Sequence, residues 1–306
     1  MMDYKKIFRS KELRFAILRM LSFVPDGPML RLQYRIKTGR KLNLKNPTRF
    51  TEKLQWYKLH YRDPQMVACV DKADVRDYVE QKGLGHILNG CLGVYDDASQ
   101  VDFSVLPDRF VVKDTLGSGG ESVIVVEDKA KCDPEALRSR MQRWTARPHR
   151  TRDGGREWPY YSGKKHRIII EEYLEEGFGG LTDYKFFCFG GKVGSFFVRT
   201  AFAEDHDAGR MTYYDRDMKY LPGVGVDYYQ QAEEPLPLPA NAEKMIEYAE
   251  RLAADFPHVR VDFYEVEGRI IFGELTFFHA SGYLHFVPDE YDEQLGAYFT
   301  LPQKNA

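Results

Sequence analysis

The alternation of apolar and polar residues is clearest near the C-terminus of the sequence, where it predicts a β-hairpin. From Val259 to Tyr264 apolar residues alternate with polar ones, which is the period-2 pattern of a half-buried strand. Glu267 and Gly268 form a turn signal. The stretch from Arg269 to Phe278 is rich in β-branched and aromatic residues and supplies a second strand. The pattern therefore predicts two antiparallel strands joined by a tight turn.

Four polar residues interrupt these two strands at regular spacing. Arg260 and Asp262 are two residues apart, so both side chains leave the same face of the first strand, and Glu274 and Thr276 do the same on the second. Two carboxylates and a cation facing one another need partners if they are buried, and Mg²⁺ is a natural partner for such oxygen ligands. A salt-bridged face turned toward solvent is the alternative, because many sheets have one wet face. The sequence pattern alone is compatible with both a metal site and a solvent-facing set of salt bridges.

A second candidate feature is a glycine-rich loop between two strands. The stretch from Phe110 to Lys113 predicts a strand, and residues 122–126 predict the return strand. Glycines between two strands can close over phosphates with backbone N–H groups, and Lys113 can add a point charge beneath them. No GK[ST] sequence or helix follows, so the loop is unlike a P-loop, and a plain glycine hairpin is the alternative.

The remaining pattern alternates helices with short strands. Helices are predicted at 51–59, 71–81, 134–144 and 241–256, and strands at 93–95, 167–170, 183–189 and 193–200. The segment 210–231 is rich in Tyr and lacks periodicity, so we predict irregular structure there. Residues 1–24 predict a basic, partly amphipathic helix. It either packs on its own domain with a solvated basic side or contacts a membrane surface.

Composition and net charge limit the classes of function that this protein can have. The chain has 306 residues with 43% hydrophobic and 29% charged residues, as expected for a globular protein with two or three lobes. A formal net charge of −2 argues against nucleic-acid binding. The four cysteines form no CxxC pair, and no apolar run approaches the ~18 residues that span a bilayer. No signal peptide is recognisable, so we expect a cytoplasmic protein, with peripheral contact to the inner face of the membrane as a further option.

Several motifs together resemble one known family from about Leu42 to the C-terminus. They are NLKNPTRFTEKLQWYKLHYRD, VDKADVRDYV, LPDRFVVKDTLGSGG, RIIIEEYL, TDYKFFCFGGK, VRVDFY and FGELTFFHASGY. These motifs resemble the teichuronopeptide-type (TupA-like) ATP-grasp family, which is associated with bacterial cell-surface polysaccharide synthesis. The resemblance implies an α+β fold in which two lobes with antiparallel sheets grip ATP. We accordingly expect a mainly helical region at 1–100, a small lobe with the glycine loop at 101–172 and a C-terminal lobe with the metal-binding hairpin at 173–306.

The resemblance also implies positions for the nucleotide. Lys113 would contact the α/β-phosphates, and Lys72 would be a second phosphate lysine unless it is a lysine of the helix surface. The loop over the β/γ-phosphates would comprise Gly117, Ser118, Gly119 and Gly120. The hinge between the lobes would comprise Glu171, Glu172, Tyr173 and Leu174, and its backbone, with the Glu171 side chain, would bind adenine. Asp183 falls where the fold keeps an acidic residue for the ribose hydroxyls.

The same resemblance implies the catalytic and metal-binding residues. Asp262 and Glu274 would bind Mg²⁺, and Arg260 would point at the transferring phosphoryl group. The ATP-grasp fold usually has Asn where this chain has Thr276; a hydroxyl can still coordinate Mg²⁺, but this departure puts a second metal site in doubt. Arg199 would be a further phosphate or substrate cation, with an ordinary exposed arginine as the alternative.

The implied activity is an ATP-dependent carboxylate–amine ligase that acts through an acylphosphate. The expected substrates are a small molecule or glycan precursor, such as a uronic acid, together with an amine. Two other functions stay open: a glycosyltransferase of polysaccharide synthesis, for which Asp215-Arg216-Asp217 has the spacing of a metal motif, and a sugar kinase on the same fold. The sequence does not indicate the oligomeric state.

Overall fold

Two antiparallel sheets dominate the structure. A computed structural model of the protein describes residues 16–18, 20–117, 122–147, 154–175, 181–200, 209–227 and 230–305. The strands are β1 (Cys91–Tyr95), β2 (Phe110–Asp114), β3 (Val123–Val126), β4 (Ile168–Glu172), β5 (Thr182–Phe189), β6 (Lys192–Thr200), β7 (Arg210–Asp215), β8 (Gly225–Val226), β9 (Gln230–Gln231), β10 (His258–Val266), β11 (Arg269–Thr276) and β12 (Phe286–Val287). The small sheet has the order β1-β4-β2-β3, the large sheet has the order β11-β10-β5-β6-β7-β9, and β12 pairs with β8.

Helices cover the sheets and connect them. They are α1 (Asp26–Thr38), α2 (Phe50–His60), α3 (Pro64–Cys69), α4 (Val75–Gln81), α5 (Pro134–Thr145), α6 (Trp158–Tyr161), α7 (Ala242–Ala253) and α8 (Glu290–Tyr298). The small sheet packs its apolar face against Leu137, Met141 and Trp144 of α5. In the large sheet, the apolar face of β5 and β10 packs against α7. Within the described ranges, no helix combines the length and apolarity needed to cross a bilayer.

The hairpin predicted from the alternating pattern is confirmed. Strands β10 and β11 pair in antiparallel fashion, and the turn residues Glu267 and Gly268 have φ values of 51° and 76°, as a tight two-residue turn requires. A register shift follows Asp262, opposite Gly273. A Cβ at Gly273 would lie 3.1 Å from the Asp262 carbonyl oxygen, so glycine permits this close approach of the strands.

The structure corrects one prediction and leaves part of another untested. Residues 210–231 were predicted to be irregular, but Arg210–Asp215 forms strand β7 of the large sheet. Four consecutive side chains of β7 are buried, so the strand is covered on both faces and shows no period-2 pattern. Residues 1–15 and 19 of the predicted N-terminal helix lie outside the described residues. The predicted division at residues 100 and 172 stays a prediction; β1, which precedes residue 100, pairs with β4 in the small sheet.

A buried histidine makes the stability of the large lobe sensitive to acid. His258 stacks on Phe189 at 4.8 Å between ring centroids, and its Nδ1 lies 2.8 Å from the carbonyl oxygen of Cys188. Burial lowers the pKa of His258 from 6.5 to about 3. Between these values the unfolded chain takes up a proton that the folded chain does not, so the free energy of unfolding falls as the pH falls.

We predict that His258→Phe removes this sensitivity, because a phenyl ring fills the same aromatic site without titrating. Between about pH 7.5 and about pH 5, the variant should lose about 2 kcal/mol less of its free energy of unfolding than the wild type loses. Urea denaturation at both pH values measures the difference. The exposed His86 supplies the control variant His86→Phe. Equal acid sensitivity in wild type and His258→Phe would show that His258 is not the group that titrates.

Candidate active site

One large cavity of about 1640 Å³ lies between the small and the large sheet. It is lined by most of the residues singled out in the sequence: Lys72, Lys113, Gly117, Glu171, Glu172, Tyr173, Leu174, Asp183, Arg199, Arg260, Glu274 and Thr276. Ser118, Gly119 and Gly120 of the glycine loop lie outside the described residues. Asp262 is 1% exposed and lies beneath the wall of the cavity. The fold therefore brings together residues that are up to about 200 positions apart in the chain.

The polar wall of the large sheet follows from the strand register. Asp183 of β5 is opposite Arg199 of β6, and Lys185 of β5 is opposite Asp262 of β10. Asp262 is in turn opposite Glu274 of β11. Because alternate side chains of a strand share a face, these residues form one row across four strands. The next residues along β5, such as Tyr184 and Phe186, point into the core.

This row is a chain of ion pairs with alternating charge. Asp183 accepts hydrogen bonds from Arg199, with Nε at 3.1 Å, and forms an ion pair with Lys185 at 3.2 Å. Lys185 Nζ also donates to Asp262 at 2.6 Å. Arg260 donates to both oxygens of Asp262, each at 2.6 Å. Each buried charge of the row is thus compensated by a neighbour of opposite sign, as buried charges require.

The pKa shifts follow from this pairing. Burial would raise the pKa of Asp262, but the positive charges of Arg260 and Lys185 outweigh burial and lower it. Burial alone would lower the pKa of the Arg260 guanidinium. The negative charges of Asp262 and Glu274 outweigh this effect and raise that pKa. The pairing therefore favours the ionised form of Asp262 and the cationic form of Arg260.

Glu274 and Thr276 lie at the end of the row that faces the cavity. The Glu274 side chain is 47% exposed, and its Oε1 accepts hydrogen bonds from Arg260 Nη2 at 3.2 Å and from Thr276 Oγ1 at 3.0 Å. Arg260 Nη2 also donates to Thr276 Oγ1 at 3.1 Å. A carboxylate and a hydroxyl group thus present adjacent oxygen atoms to the cavity beside a fixed guanidinium.

A second set of cations lies beside strands β2 and β4 of the small sheet. Lys113 Nζ donates to Glu171 Oε2 at 2.6 Å, and Arg76 lies 3.6 Å from the same carboxylate. Lys72 follows helix α3 and donates through Nζ to the carbonyl oxygen of Gly117, so it is joined to the start of the glycine loop. Burial lowers the pKa of Lys72. Lys72 lines the cavity, which favours the phosphate role over the alternative of a helix-surface lysine, and that role stays a prediction.

The predicted hinge, residues 171–174, lies at the end of strand β4. The backbone N–H of Glu172 donates to the carbonyl oxygen of Gly90 at 2.9 Å. The carbonyl oxygen of Glu172 accepts a hydrogen bond from Asn89 Nδ2 at 2.8 Å. The Glu171 side chain, predicted to bind adenine, is paired with Lys113 in this structure. Adenine recognition by the hinge residues stays a prediction.

Lys185 is a site residue that the sequence analysis missed. It lines the cavity and joins Asp183 to Asp262. The signal was present, because Lys185 follows Asp183 by two positions in a predicted strand and therefore shares its face. What the pattern could not supply was the partner, since Asp262 lies 77 residues away in the chain.

We predict that Lys113→Ala weakens ATP binding about tenfold or more, because Lys113 is expected to make a charge-assisted contact with the phosphates. Calorimetric titration with ATP and Mg²⁺ measures the affinity. Lys131→Ala is the control, since the Lys131 side chain is 83% exposed and pairs with Asp128. Unchanged affinity in Lys113→Ala would show that this side of the cavity does not hold the phosphates.

Solved structures of two ligases are similar to this chain at low sequence identity. A solved structure of D-alanine–D-alanine ligase from Bacillus anthracis aligns at 16% identity with a TM-score of 0.45, covering 76% of this chain and 64% of that protein. L-amino acid ligase from Bacillus licheniformis aligns at 15% identity with a TM-score of 0.40, covering 93% of this chain and 56% of that protein. The chain thus spans less than two thirds of the length of either ligase. Curated proteins gave no significant match.

The family assignment rests on the sequence itself. Residues 52–300 match the family described as TupA-like ATPgrasp, which is well over half of the chain. This match confirms the family and the α+β ATP-grasp fold that the motifs predicted. The chain belongs to the TupA-like ATP-grasp family.

Proposed function

We propose that this protein is an ATP-dependent ligase that joins a carboxylate to an amine. The observation that carries the proposal is that Lys72, Lys113, Arg260 and Glu274 line one cavity between two antiparallel sheets. Cations on both walls suit a ligand with several negative charges, such as a nucleoside triphosphate. Catalysis of phosphoryl transfer consists largely of positioning and charge neutralisation, and these residues supply both.

The nucleotide is proposed to lie along the cavity from the hinge to the hairpin. Adenine binds at residues 171–174, and the ribose hydroxyls bind Asp183. Lys113 and Lys72 hold the phosphates beneath the glycine loop. Arg199 pairs with Asp183 and lines the cavity, and it is proposed as a further cation for the phosphates or the substrate. These roles rest on the family resemblance and on the shared cavity, and the Lys113 variant tests the first of them.

The oxygen atoms at the hairpin fit a magnesium ion. Among the described residues, no group of three or more His, Cys, Asp or Glu side chains is arranged to hold a metal by itself. Glu274 and Thr276 present adjacent oxygens to the cavity, and Asp262 lies directly behind them. Mg²⁺ is commonly held by one or two carboxylates, with phosphates and water completing the octahedron. When bound, the ion would neutralise phosphate charge and polarise the transferring group.

The proposed reaction has two steps that share this site. A substrate carboxylate oxygen attacks the γ-phosphorus, the bond to the bridging oxygen breaks, and ADP leaves with an acylphosphate formed on the substrate. The amine nitrogen then attacks the acyl carbon, and phosphate leaves while the nitrogen loses a proton. Arg260 holds the phosphoryl oxygens in both steps, and the glycine loop closes over the intermediate and excludes water.

The proposed substrates come from the synthesis of bacterial surface polysaccharide, as the family resemblance suggests. The carboxylate would be a uronic acid or another carboxylate in a glycan precursor, and the amine an amino acid or a simple amine. Action in the cytoplasm, with contact to the inner face of the membrane through the basic N-terminal segment, belongs to the same proposal. Residues 1–15 of that segment lie outside the described residues.

Trapping of the acylphosphate with hydroxylamine tests the ligase proposal. The protein is incubated with ATP, Mg²⁺, hydroxylamine and each of a panel of uronic acids, nucleotide-linked uronic acids and amino acids. We expect ADP release that depends on one carboxylate, together with a hydroxamate of that carboxylate detected by mass spectrometry. ADP release with a phosphorylated sugar and no hydroxamate would contradict the ligase and support the kinase alternative.

The structure weakens the glycosyltransferase alternative. Asp215 ends strand β7, and its Oδ1 accepts hydrogen bonds from the backbone N–H groups of Asp217 and Lys219, each at 2.9 Å. The Asp217 side chain is 88% exposed, and Arg216 pairs with Glu250. None of Asp215, Arg216 and Asp217 lines the cavity. The motif therefore serves as a capped turn rather than as a metal site.

A further inference from the structure

The guanidinium of Arg260 is held by four side chains. Its Nε and Nη2 donate to Asp262, and Nη2 also lies within hydrogen-bond distance of Glu274 and Thr276. Its Nη1 contacts Nδ1 of His279. Arg260 is 7% exposed and lines the cavity, so a ligand in the cavity can reach it.

Three of these four partners are the proposed metal ligands. Glu274 and Thr276 present to the cavity the oxygens that Mg²⁺ would take under the proposed function, and Asp262 lies buried behind them. Metal coordination by these oxygens would compete with their hydrogen bonds to Arg260. His279 is the one partner of the four that lies outside the ligand set, so a bound metal would not compete with Arg260 for its Nδ1.

His279 is itself held in place by its surroundings. Its ring packs edge-on against Phe187 at 5.1 Å and lies 5.9 Å from the ring of Phe197. The turn that follows is tied to helix α2, where Gln55 and Lys58 donate to the carbonyl oxygen of Ser281 at 2.9 Å. A histidine ring fixed between a strand pair and a helix can serve as a rigid acceptor.

The chemistry of the contact explains why a histidine suits this position. A guanidinium only donates hydrogen bonds, so Nδ1 of His279 must accept and the ring must be neutral. Burial, followed by the charges of Arg260 and Lys185, keeps the pKa of His279 well below its ordinary value. A neutral acceptor orients Arg260 without cancelling its positive charge. A carboxylate at the same place would add a negative charge that repels the phosphates.

The geometry points to His279 as the positioning residue that fixes Arg260 toward the γ-phosphoryl group of bound nucleotide. This inference rests on the proposed function, because it takes the phosphates to lie at Arg260. It predicts a specific readout: His279 should affect the affinity for a triphosphate and leave the affinity for a diphosphate unchanged. The inference also requires that the hydrogen-bond acceptor for Arg260 occupy the position of the His279 Nδ1 atom.

Three substitutions separate this role from a purely structural one. His279→Asn puts an amide oxygen close to the place of Nδ1, whereas His279→Gln puts it close to the place of Nε2. His279→Phe keeps a ring between Phe187 and Phe197 without any acceptor. The control is His285→Asn, because His285 follows the same turn closely in the chain but does not line the cavity. Affinities for the non-hydrolysable analogue adenylyl imidodiphosphate and for ADP, both with Mg²⁺, are measured by calorimetry, and thermal unfolding checks the fold.

We expect the wild type, His279→Asn and His285→Asn to bind the analogue about tenfold more tightly than ADP. We expect His279→Gln and His279→Phe to lose that preference while their affinity for ADP is unchanged. Retention of the wild-type preference in folded His279→Gln and His279→Phe would overturn the inference. Equal losses for both nucleotides in all three His279 variants would overturn it too, because they indicate a structural role. Failure of the wild type to bind either nucleotide would instead overturn the proposed function, and this inference with it.

Discussion

Replacement of Glu274 by glutamine is expected to abolish Mg²⁺-dependent nucleotide binding and turnover while leaving the fold intact. The Glu274 side chain is 47% exposed, so the substitution buries no new polar group. The glutamine side chain can still accept hydrogen bonds from Arg260 and Thr276. The substitution nevertheless removes the negative charge that a divalent cation requires. Loss of a metal ligand costs several kcal/mol of transition-state stabilisation, so we expect turnover to fall about 100-fold or more.

Two measurements check the Glu274 prediction. Calorimetry compares nucleotide affinity with Mg²⁺ and with a chelator, and the hydroxylamine assay measures ADP release. Glu267→Gln is the matched control, because Glu267 lies on the same hairpin at the exposed turn. Wild-type Mg²⁺ dependence in Glu274→Gln would mean that the hairpin does not bind the metal.

Replacement of Asp262 by asparagine is expected to destabilise the protein by about 3–5 kcal/mol. Asp262 is 1% exposed and is the counter-ion of two buried cations, Arg260 and Lys185. The asparagine keeps the shape but leaves those cations with a partner that carries no charge. Breaking one side of a buried ionic network costs far more than losing an exposed pair does.

The free energy of unfolding of Asp262→Asn, measured by urea denaturation, tests this expectation. Glu274→Gln serves as the comparison, because it changes a carboxylate on the same row that is half exposed, and it should shift the free energy of unfolding by less than about 1 kcal/mol. A shift of similarly small size in Asp262→Asn would contradict the role of Asp262 as a buried counter-ion. The contrast also means that lost activity in an Asp262 variant cannot be attributed to the metal alone, whereas lost activity in Glu274→Gln can.

Much of the candidate site was predictable because strands have a fixed period. Arg260 with Asp262, and Glu274 with Thr276, could be assigned to common faces from spacing alone, and the turn at Glu267-Gly268 fixed which strands pair. The motif resemblance then supplied the fold and the family. Lys72 and Lys113 could be named because they stand in those motifs.

What sequence reasoning missed depends on contacts between distant segments. Spacing did not reveal that Lys185 neutralises Asp262, because that pair is made by the register of β5 and β10 across 77 positions. Strand β7 was missed since both of its faces are buried, which removes the alternation that marks a strand. The contact of His279 with Arg260 is visible only once the hairpin and the following turn are folded.

The central claim is that this cavity holds ATP with Mg²⁺, and calorimetric titration of the wild-type protein tests it most directly. ATP with Mg²⁺ is compared with UDP- and GDP-sugars under the same conditions, and thermal unfolding provides a second readout, since a ligand that binds the folded state raises the melting temperature. The account predicts saturable binding and stabilisation by ATP with Mg²⁺, both lost in Glu274→Gln. Binding of a nucleotide-sugar with no response to ATP would contradict it.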